Sequence, residues 1–558
     1  MDYKEKIVQL LSKATSLAAP ELHNLIKPTP HPQLGEYAFP CFKLGKNPHQ
    51  EAEKLKQKLV LPSYISKVEV AGPYLNFFLN QATLASNTIT AILKQKQKYG
   101  GGKAKENLVV EFCSPNTNKP LHLGHIRNIC LGDATVRLLR FQGHKVHPVE
   151  VINDRGVHIC KSMLAYARWG KNQQPTKKTD HFVGDYYILF AQKVQQNPAL
   201  EEEAQQMLLA WEQGDKKVMA LWKKMNGWAV KGIKQTYARL GIVFEQEDFE
   251  SQLYQQGKEI ALQGLKKGIF IKDEKGAIVA PLEQYGLTNK VVLRADGTSV
   301  YITQDLYLAE KRYRHFKFDQ LWYVVASEQN LHFQQLFKIL ELLGAPYAPR
   351  LRHLSYGLVH LPTGRMKSRE GTVVDADDIL DEMAALAEQE VRSRYTTLSE
   401  KEIKHRAEFI ALGALKLYIL RTDAVRDIVY NPEESLSFEG ETGPYLQYTH
   451  ARACSILAKA GAVKGKVNYR LLTQPSEQAI LQLLVQFPAK AQEAQYKIHI
   501  LCRYLLDVAQ TFNELYHALP VISEDKELMK ARLALVRSVQ AILQSGLELL
   551  GITAPVEM

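Results

Sequence analysis

The chain has 558 residues, 46% of them hydrophobic and 23% charged, a globular composition whose length suggests three or four domains. It has no run of 18 apolar residues and opens with the charged stretch Asp2–Lys6, so neither a transmembrane helix nor a signal peptide is predicted. The formal net charge of +12 favours a polyanionic partner, because neutralised phosphates release bound counterions.

The first predicted unit, residues 1–98, is a small α+β domain. Apolar residues from Ile7 to Leu11 have helical spacing, and a second helix is predicted over the lysine-rich stretch 51–61. Two strands are predicted next, at 68–70 and 75–79. Gly100–Gly102 then indicate a flexible break before the following domain.

The next segment predicts a βαβ unit. A strand over 108–112 is followed by a polar, proline-containing loop from Cys113 to Pro120. A helix runs from near His122 to about Gln142, with Gly143 suited to its C-terminal cap, and a second strand covers 146–152. This order is typical of the start of an α/β domain with a Rossmann-like, doubly wound parallel sheet.

Residues 157–285 are predicted to be mostly helical and to split the nucleotide-binding sheet. Sheet structure is expected to return with a strand at 291–293, a hairpin turn at Asp296–Gly297 and a strand at 299–302. A further strand at 321–326 leads into another helix.

From about residue 400 the chain is predicted to form a helix bundle. Apolar residues at spacings of three and four form two buried stripes, namely Leu501, Leu505, Val508, Phe512 and Leu515, then Leu535, Val539 and Ile542. The predicted domains are an α+β domain over 1–98, a catalytic domain over 104–399 with a helical insertion at 157–285, and an all-α domain over 400–558.

Six cysteines are scattered along the chain, and no two of them have the spacing of a CxxC zinc or redox pair. Single thiols in a long chain are typical of reduced, intracellular proteins, so a cytoplasmic location is expected. The sequence predicts no dedicated metal cage.

The motif His122-Leu123-Gly124-His125 lies where the first helix of the sheet begins. Its two histidines share one face of the first turn, beyond the strand end where open α/β sheets bind ligands. The free N–H groups of the helix N-terminus suit phosphate, and Gly124 lets a flat adenine approach the backbone. Two imidazoles there can donate hydrogen bonds to a phosphorus centre as negative charge develops, although capping or surface histidines would show the same spacing.

These residues resemble the HIGH motif of class I aminoacyl-tRNA synthetases. Glu111–Pro120 (EFCSPNTNKP) and Ile152–Gly156 (INDRG) resemble the arginyl-tRNA synthetase family in particular, and the resemblance covers essentially the whole chain. It implies a ligase that activates L-arginine with ATP to arginyl-adenylate and transfers it to the 3′-terminal ribose of tRNA(Arg). It also implies that arginine activation requires bound tRNA.

The second class I motif, KMSKS, is matched by Gly364–Val374 (GRMKSREGTVV). The resemblance implies that Met366, Lys367, Ser368 and Arg369 bind ATP together with His122, Gly124 and His125. Ser368 stands where the class has its second, catalytic lysine. Members of the arginine family commonly lack that lysine and use one just upstream of HIGH, a position that Lys119 matches. The implied catalytic residues are therefore His122, His125 and Lys119.

Recognition of arginine requires acceptors, because a guanidinium is planar and carries five hydrogen-bond donors. The resemblance points to five residues, namely Glu111, Asn116, Tyr301, Asp305 and Gln329. Asp305 and Tyr301 are expected to hold the guanidinium, Asn116 and Gln329 to bind the α-amino and carboxylate groups, and Glu111 to serve either end. Without the resemblance, Asp305 could be a helix N-cap.

Two regions resemble the tRNA-binding parts of the family. Asn76 and Phe78 lie in the segment that meets the tRNA elbow and could bond or stack on a base, although aromatic residues there are more often core. Tyr445, Tyr448 and Arg452 are predicted to share one helix face in the anticodon-binding domain. That face could stack on anticodon bases or pack against the catalytic domain.

The expected partners are tRNA(Arg), L-arginine and ATP, with Mg²⁺ accompanying the ATP, and the family resemblance implies a monomer. Three alternatives remain open from the sequence: another HxGH nucleotidyltransferase, a non-catalytic tRNA-binding relative, and a synthetase for glutamine or glutamate. The first does not account for the long helical C-terminal domain, and the second would be expected to lose His122, His125 or Lys119. The third lacks the run before HIGH and the N-terminal domain.

Overall fold

The computed structural model describes residues 3–29, 31–360, 374–437, 440–461 and 465–558. Its strands are β1 (Lys27–Pro28), β2 (Tyr37–Pro40), β3 (Ile65–Ala71), β4 (Tyr74–Leu79), β5 (Asn107–Glu111), β6 (Lys145–Ile152), β7 (Gln246–Phe249), β8 (Ile271–Lys272), β9 (Ile278–Ala280), β10 (Lys290–Leu293), β11 (Gln320–Ala326), β12 (Leu351–Tyr356), β13 (Val359–His360) and β14 (Ile428–Val429). Within these ranges, no helix is both long and apolar enough to cross a membrane.

The helices follow the same numbering. They are α1 (Tyr3–Ser12), α2 (Ala19–Leu25), α3 (Pro48–Lys58), α4 (Gln81–Gln95), α5 (Leu123–Phe141), α6 (Val157–Trp169), α7 (Thr179–Gln196), α8 (Leu200–Glu212), α9 (Lys216–Leu240), α10 (Tyr254–Lys266), α11 (Tyr301–Phe316), α12 (Asn330–Leu342), α13 (Ala376–Arg394), α14 (Glu400–Leu420), α15 (Pro432–Ser435), α16 (Gly443–Ala460), α17 (Pro475–Ala494), α18 (His499–Ala518) and α19 (Lys526–Leu549).

The N-terminal unit is an antiparallel sheet of order β1-β2-β4-β3 with helices packed against it. The predicted strand pair is confirmed as β3 and β4. The flexible break predicted at Gly100–Gly102 is wrong, because this segment is packed. Tyr99 is buried and stacks on Phe487 of the C-terminal bundle, and the Gly102 N–H donates to the carbonyl of Phe141.

The central sheet has five parallel strands in the order β12-β11-β5-β6-β7. The chain adds β5, β6 and β7 in one direction and then β11 and β12 in the other. Its switch point therefore lies between β5 and β11, and the crevice beyond their carboxyl ends is where such sheets bind ligands. The predicted βαβ unit β5–α5–β6 is confirmed.

The prediction of a helical segment over 157–285 holds for α6 to α9 and needs correction after Leu240. β7 returns to the central sheet as its edge strand, beside β6. It was not predicted because its four residues, Gln246–Phe249, are mostly polar, as a partly exposed edge strand allows. Beyond α10, the strands β8, β9 and β10 form a small antiparallel sheet.

The strand predicted at 299–302 is wrong, because α11 begins at Tyr301. Ser299 makes a single β-bridge with Leu293, and the turn between them contains Gly297 at φ 78°. The Val300 N–H donates to Thr303 Oγ, which in turn donates to the carbonyl of Val292. This side-chain cap starts a helix where the alternating pattern indicated a strand.

The C-terminal bundle is confirmed, with both predicted apolar stripes buried in α18 and α19. The predicted boundary at 399/400 falls in the turn between α13 and α14, two helices that pack against each other.

All six cysteines are free thiols, and five of them are buried. Burial raises the pKa of each, to about 11 for Cys41 and to about 12 for Cys130 and Cys160. The pKa of Cys113 is raised well above its ordinary value for the same reason.

Candidate active site

The HIGH residues form the N-terminus of α5 at the carboxyl end of β5. His122 is the N-cap, and its Nδ1 accepts the Gly124 N–H at 3.1 Å. The Nδ1 of His125 accepts the His122 N–H, also at 3.1 Å, and the two ring centroids are 3.9 Å apart. Because both Nδ1 atoms accept, both neutral rings carry their proton on Nε2. The pair therefore presents two N–H donors.

Both imidazoles are held neutral. Burial, with a smaller contribution from Lys119, lowers the pKa of His122 to about 3. Burial, His122 and Lys119 lower the pKa of His125 well below its ordinary range. Lys119 is thus close to both rings. Gly124 leaves room for the His122 ring, since a Cβ at position 124 would lie 3.0 Å from Cε1 of His122.

The lowered pKa of His122 makes stability depend on pH. The imidazole takes up a proton below about 6.5 in the unfolded chain but only near 3 in the folded one. The contribution of the neutral His122 ring to the free energy of unfolding is therefore fully present above pH 6.5 and is lost as the pH falls towards 3. We expect His122→Gln to reduce the slope of unfolding free energy against pH by about 1.4 kcal/mol per unit between pH 4 and 6. Urea unfolding at several pH values measures this, with the exposed His405→Gln as control; equal slopes in both variants would contradict it.

The loop that carries Lys119 begins with two non-glycine residues in the left-handed region, Cys113 at φ 80° and Ser114 at φ 52°. The Cys113 N–H donates to Oδ1 of Asn128 at 2.5 Å. Asn128 in turn donates to the carbonyl of Val324 on β11. A polar residue of α5 therefore holds the strained turn at the switch point.

A short segment after residue 373 pairs with the backbone of the HIGH motif. His122 and Asp375 form an antiparallel β-bridge, the Leu123 N–H donates to the carbonyl of Val374, and the Ala376 N–H donates to the carbonyl of Leu121. The predicted KMSKS residues Met366, Lys367, Ser368 and Arg369 lie outside the described residues.

A cavity of about 360 Å³ is lined by Arg155, His158, Glu250, Arg294 and Tyr301, among others. Tyr301 is 58% exposed at the start of α11. Asp305 lies one turn further along, and one of its carboxylate oxygens is 2.7 Å from Nε2 of His332. Burial and then Lys119 lower the pKa of His158 to about 4, so this ring links the cavity to Lys119.

Glu250 is the acid that sequence reasoning missed. It is 5% exposed, lines the cavity and follows directly after β7. Among the described residues, no hydrogen bond or ion pair of its carboxylate is found. Burial, Asp305 and Asp154 together raise its pKa well above the ordinary value. An acid at the carboxyl end of a parallel strand would have been a signal, but β7 itself was not predicted.

Glu111 has a different position from the one expected for a substrate ligand. Its carboxylate is ion-paired with Arg312 of α11, which also contacts Asp248 at 3.1 Å. Arg312 is fully buried, so this triad fixes α11 to β5 and β7. Glu111 thus supports the helix that carries Tyr301 and Asp305.

Arg312→Ala is expected to destabilise the protein by about 3–5 kcal/mol, because it leaves two buried carboxylates without their cation. The exposed pair of Arg314 and Glu310 on the same helix provides the control, and Arg314→Ala should cost less than about 1 kcal/mol. Urea unfolding followed by circular dichroism compares them. Equal losses in the two variants would mean that the triad does not hold the helix.

The other two predicted arginine ligands lie at the same end of the sheet. Asn116 pairs with Asn153 in an isolated parallel bridge, and its Oδ1 accepts from Nδ2 of Asn153 at 3.3 Å. Gln329 is exposed in the short helical turn after β11.

In the N-terminal unit, Asn76 is 4% exposed and Phe78 is half-buried with Lys67 over its ring. The burial of Asn76 leaves its amide little room for a base. Tyr74, on the same strand, is 41% exposed and packs edge-on against Phe42, which is 56% exposed. Sequence reasoning did not single out this pair.

In the bundle, Tyr445, Tyr448 and Arg452 share one face of α16, as their spacing predicts. The Arg452 guanidinium lies over the rings of Tyr448 and Tyr516, at 4.8 and 5.0 Å, and donates to Asn513. Tyr448 also lines a small cavity formed with α13 and α14. Stacking of this face on anticodon bases stays a prediction.

Family models and known proteins match all parts of this chain. The model described as "tRNA synthetases class I (R), catalytic domain" matches residues 88–431, the DALR anticodon binding domain matches 446–558, and the arginyl tRNA synthetase N terminal domain matches 1–79. The arginine–tRNA ligase of Treponema denticola is 44% identical over 556 residues, covering 95% of this chain and 94% of that protein. That of Bacteroides thetaiotaomicron is 39% identical, with 93% and 92% covered.

Solved structures agree with these matches. The arginyl-tRNA synthetase of Thermus thermophilus superposes with a TM-score of 0.82 at 28% identity, covering 96% of each chain. That of Plasmodium falciparum gives 0.78 at 18% identity, with 100% and 99% covered, and shows the shared fold.

Proposed function

Since the chain belongs to the arginyl-tRNA synthetase family and is an arginine–tRNA ligase, we propose roles in that reaction for the residues around the switch point. The observation that carries the proposal is a pair of neutral imidazole donors at the switch point, near Lys119, with a cavity that contains the buried Glu250. The match across all three regions of the chain removes the alternatives that the sequence left open.

The ligase works in two steps. The arginine carboxylate attacks the α-phosphorus of ATP, giving arginyl-adenylate and releasing pyrophosphate. A hydroxyl of the terminal tRNA ribose then attacks the acyl carbon and displaces AMP. Neither step requires a covalent bond to the protein, so the enzyme contributes by positioning reactants and stabilising charge.

In the first step, we assign His122 and His125 to the phosphate. Their Nε2–H groups donate to oxygens that gain negative charge as the α-phosphorus becomes five-coordinate, and neutral rings do so across the physiological pH range. The ammonium of Lys119 neutralises phosphate charge on the same side. Mg²⁺ enters with ATP as part of the substrate and screens its phosphates.

For arginine, we assign the guanidinium to Glu250 and Asp305, with the Tyr301 hydroxyl as a further acceptor. Glu250 lines the cavity, and Asp305 lies near enough to raise the pKa of Glu250. Two neighbouring carboxylates suit a planar cation with five donors. Asn116 and Gln329, nearer the switch point, are assigned to the α-amino and carboxylate groups. This revises the role of Glu111, which acts through Arg312 on α11.

For tRNA, the exposed pair Phe42 and Tyr74 offers a stacking surface in the N-terminal domain, in place of the buried Asn76. Tyr448 and Arg452, together with Tyr516, offer another in the anticodon-binding domain. We further propose that the protein is a cytoplasmic monomer, which sedimentation and cell fractionation would test.

The central experiment is charging of total tRNA with each labelled amino acid in the presence of ATP. Charging by arginine, abolished by His122→Ala, is expected. Arginine charging that survives this change would remove His122 from the mechanism. Pyrophosphate exchange with and without tRNA, on the same preparations, would show whether activation requires bound tRNA.

Lys119→Ala is expected to lower the turnover number by about 100-fold while changing the KM for arginine little, because Lys119 lies at the imidazole end of the site. Lys119→Arg should recover part of the rate by keeping the charge. Steady-state charging kinetics measure both constants. A change confined to the KM for arginine would show that Lys119 does not replace the missing second lysine of the KMSKS motif.

A further inference from the structure

Three helices meet at a cluster of polar side chains that the reaction does not use. Lys178, the residue before α7, places Nζ 2.7 Å from a carboxylate oxygen of Asp180, from one of Asp377 and from the Thr236 hydroxyl. Nε2 of His181 is 2.8 Å from the same Asp377 oxygen. We call these five residues the Lys178 cluster; they come from the start of α7, from α9 and from the start of α13.

Asp180, Thr236 and Asp377 of the cluster are buried, and Lys178 and His181 are partly buried. Asp180 has no exposed surface, and a Cβ at Gly232 of α9 would lie 2.2 Å from its Oδ1. Asp180, His181 and Asp377 have the spacing of three metal ligands, but the Lys178 ammonium already bonds both carboxylates. The cluster therefore contains its own cation and connects protein elements to each other.

Asp377 lies two residues after Asp375, the residue that pairs with His122 of the HIGH motif. Asp375 forms the bridge with His122, and the flanking residues Val374 and Ala376 exchange backbone hydrogen bonds with Leu123 and Leu121. Asp375 also faces the ring of His181, 3.4 Å from its Nδ1. A displacement at the start of α13 would therefore be passed directly to the backbone of His122.

Helix α7 of the insertion also contacts the loop that precedes the HIGH motif. A Cβ at Gly184 of α7 would come within 2.8 Å of Cδ of Pro120 and 3.7 Å of Cα of Lys119. Helix α7 thus lies against the loop that carries Lys119, while its first turn holds the start of α13 through the cluster.

Stability alone does not account for this arrangement. Later turns of α13 already bury Ile379, Leu380 and Met383. Buried ion pairs are weak evidence for stability, because desolvation offsets most of their attraction, and their better-attested use is to specify one geometry.

We propose that the Lys178 cluster positions the HIGH motif: it fixes residues 374–377 against 121–123 and so holds His122 where its Nε2–H donates to the α-phosphate of ATP. It makes the placement of His122 depend on the insertion helices α7 and α9. The inference rests on the role assigned above to His122.

The test is arginine-dependent pyrophosphate exchange by the full-length enzyme with tRNA present. Asp377→Asn is expected to lower the turnover number about tenfold, with the KM for arginine within twofold of wild type, because only the phosphate end of the site shifts. The matched control is Asp185→Asn on α7, whose partner Lys177 is also exposed. Wild-type turnover in Asp377→Asn would overturn the proposal.

A second pair of variants separates positioning from folding. Thr236→Val keeps the shape and removes the hydroxyl that bonds Lys178, whereas Thr236→Ser keeps the hydroxyl. Thr236→Val is expected to lower the turnover number, and Thr236→Ser is expected to keep it near that of wild type. Both variants should keep the wild-type melting temperature. Loss in both, or a fall that follows melting temperature, would overturn the proposal. If His122→Ala kept the wild-type turnover number, the role assigned to His122 in the proposed function would itself be wrong.

Discussion

Replacing His125 with alanine is expected to lower the turnover number for arginyl-adenylate formation by about 10²–10³-fold, the usual cost of losing one donor aimed at developing charge. The His125 ring has a second task, since its Nδ1 accepts the His122 N–H and so orders the other imidazole. His125→Asn, which retains an amide donor, should therefore be the less damaged variant.

Single-turnover measurement of adenylate formation gives this rate without the transfer step. His405→Ala, on the exposed side of α14, should match wild type and serves as the control. If His125→Ala changed the KM for ATP alone, the ring would contribute to binding and not to stabilisation of the transition state.

Glu250→Gln is expected to lower kcat/KM for arginine by about 10²–10³-fold, since hydrogen bonds to a buried charged group are among the most costly to lose. The variant should also discriminate less between arginine and citrulline, in which a neutral urea replaces the guanidinium. The exposed Glu274→Gln is the control.

The pH dependence of arginine binding supplies an independent readout. Burial and the neighbouring Asp305 and Asp154 raise the pKa of Glu250, so the free enzyme binds a proton there more readily than an ordinary carboxyl does. An arriving guanidinium favours the carboxylate, and binding then releases that proton, so the KM for arginine should fall as pH rises. Glu250→Gln should abolish the dependence. A wild-type KM that does not vary with pH would mean that Glu250 does not meet the guanidinium.

The parts of the fold that were predictable are those whose pattern is local. The βαβ unit followed from an apolar strand, a polar loop and the helical spacing of α5, and the bundle followed from the stripes of α18 and α19. β7 could not be predicted, because its four residues are mostly polar and their pairing partner, β6, lies about 100 residues earlier. The start of α11 was hidden because the cap is a threonine three residues inside the helix.

In the candidate site, too, the residues that could be predicted are those that lie close together in the sequence. His122, His125 and Lys119 lie within one short segment, and the structure brings them together. The expectation for Glu111 was changed by Arg312, a partner 201 residues away that no local pattern connects to it. Glu250 was missed for the same reason, since its place beside Asp305 depends on the edge strand that precedes it.

The buried thiols make this protein convenient to label. A thiol with a pKa of about 11, such as that of Cys41, is ionised in about one molecule in ten thousand at pH 7, and maleimide dyes react with the thiolate. A cysteine introduced at an exposed position, such as Lys223 of α9, would be modified far faster than the buried native ones. With a second cysteine introduced at an exposed position of the anticodon-binding domain, fluorescence distances between it and the insertion could be measured during charging, without first replacing the five buried cysteines.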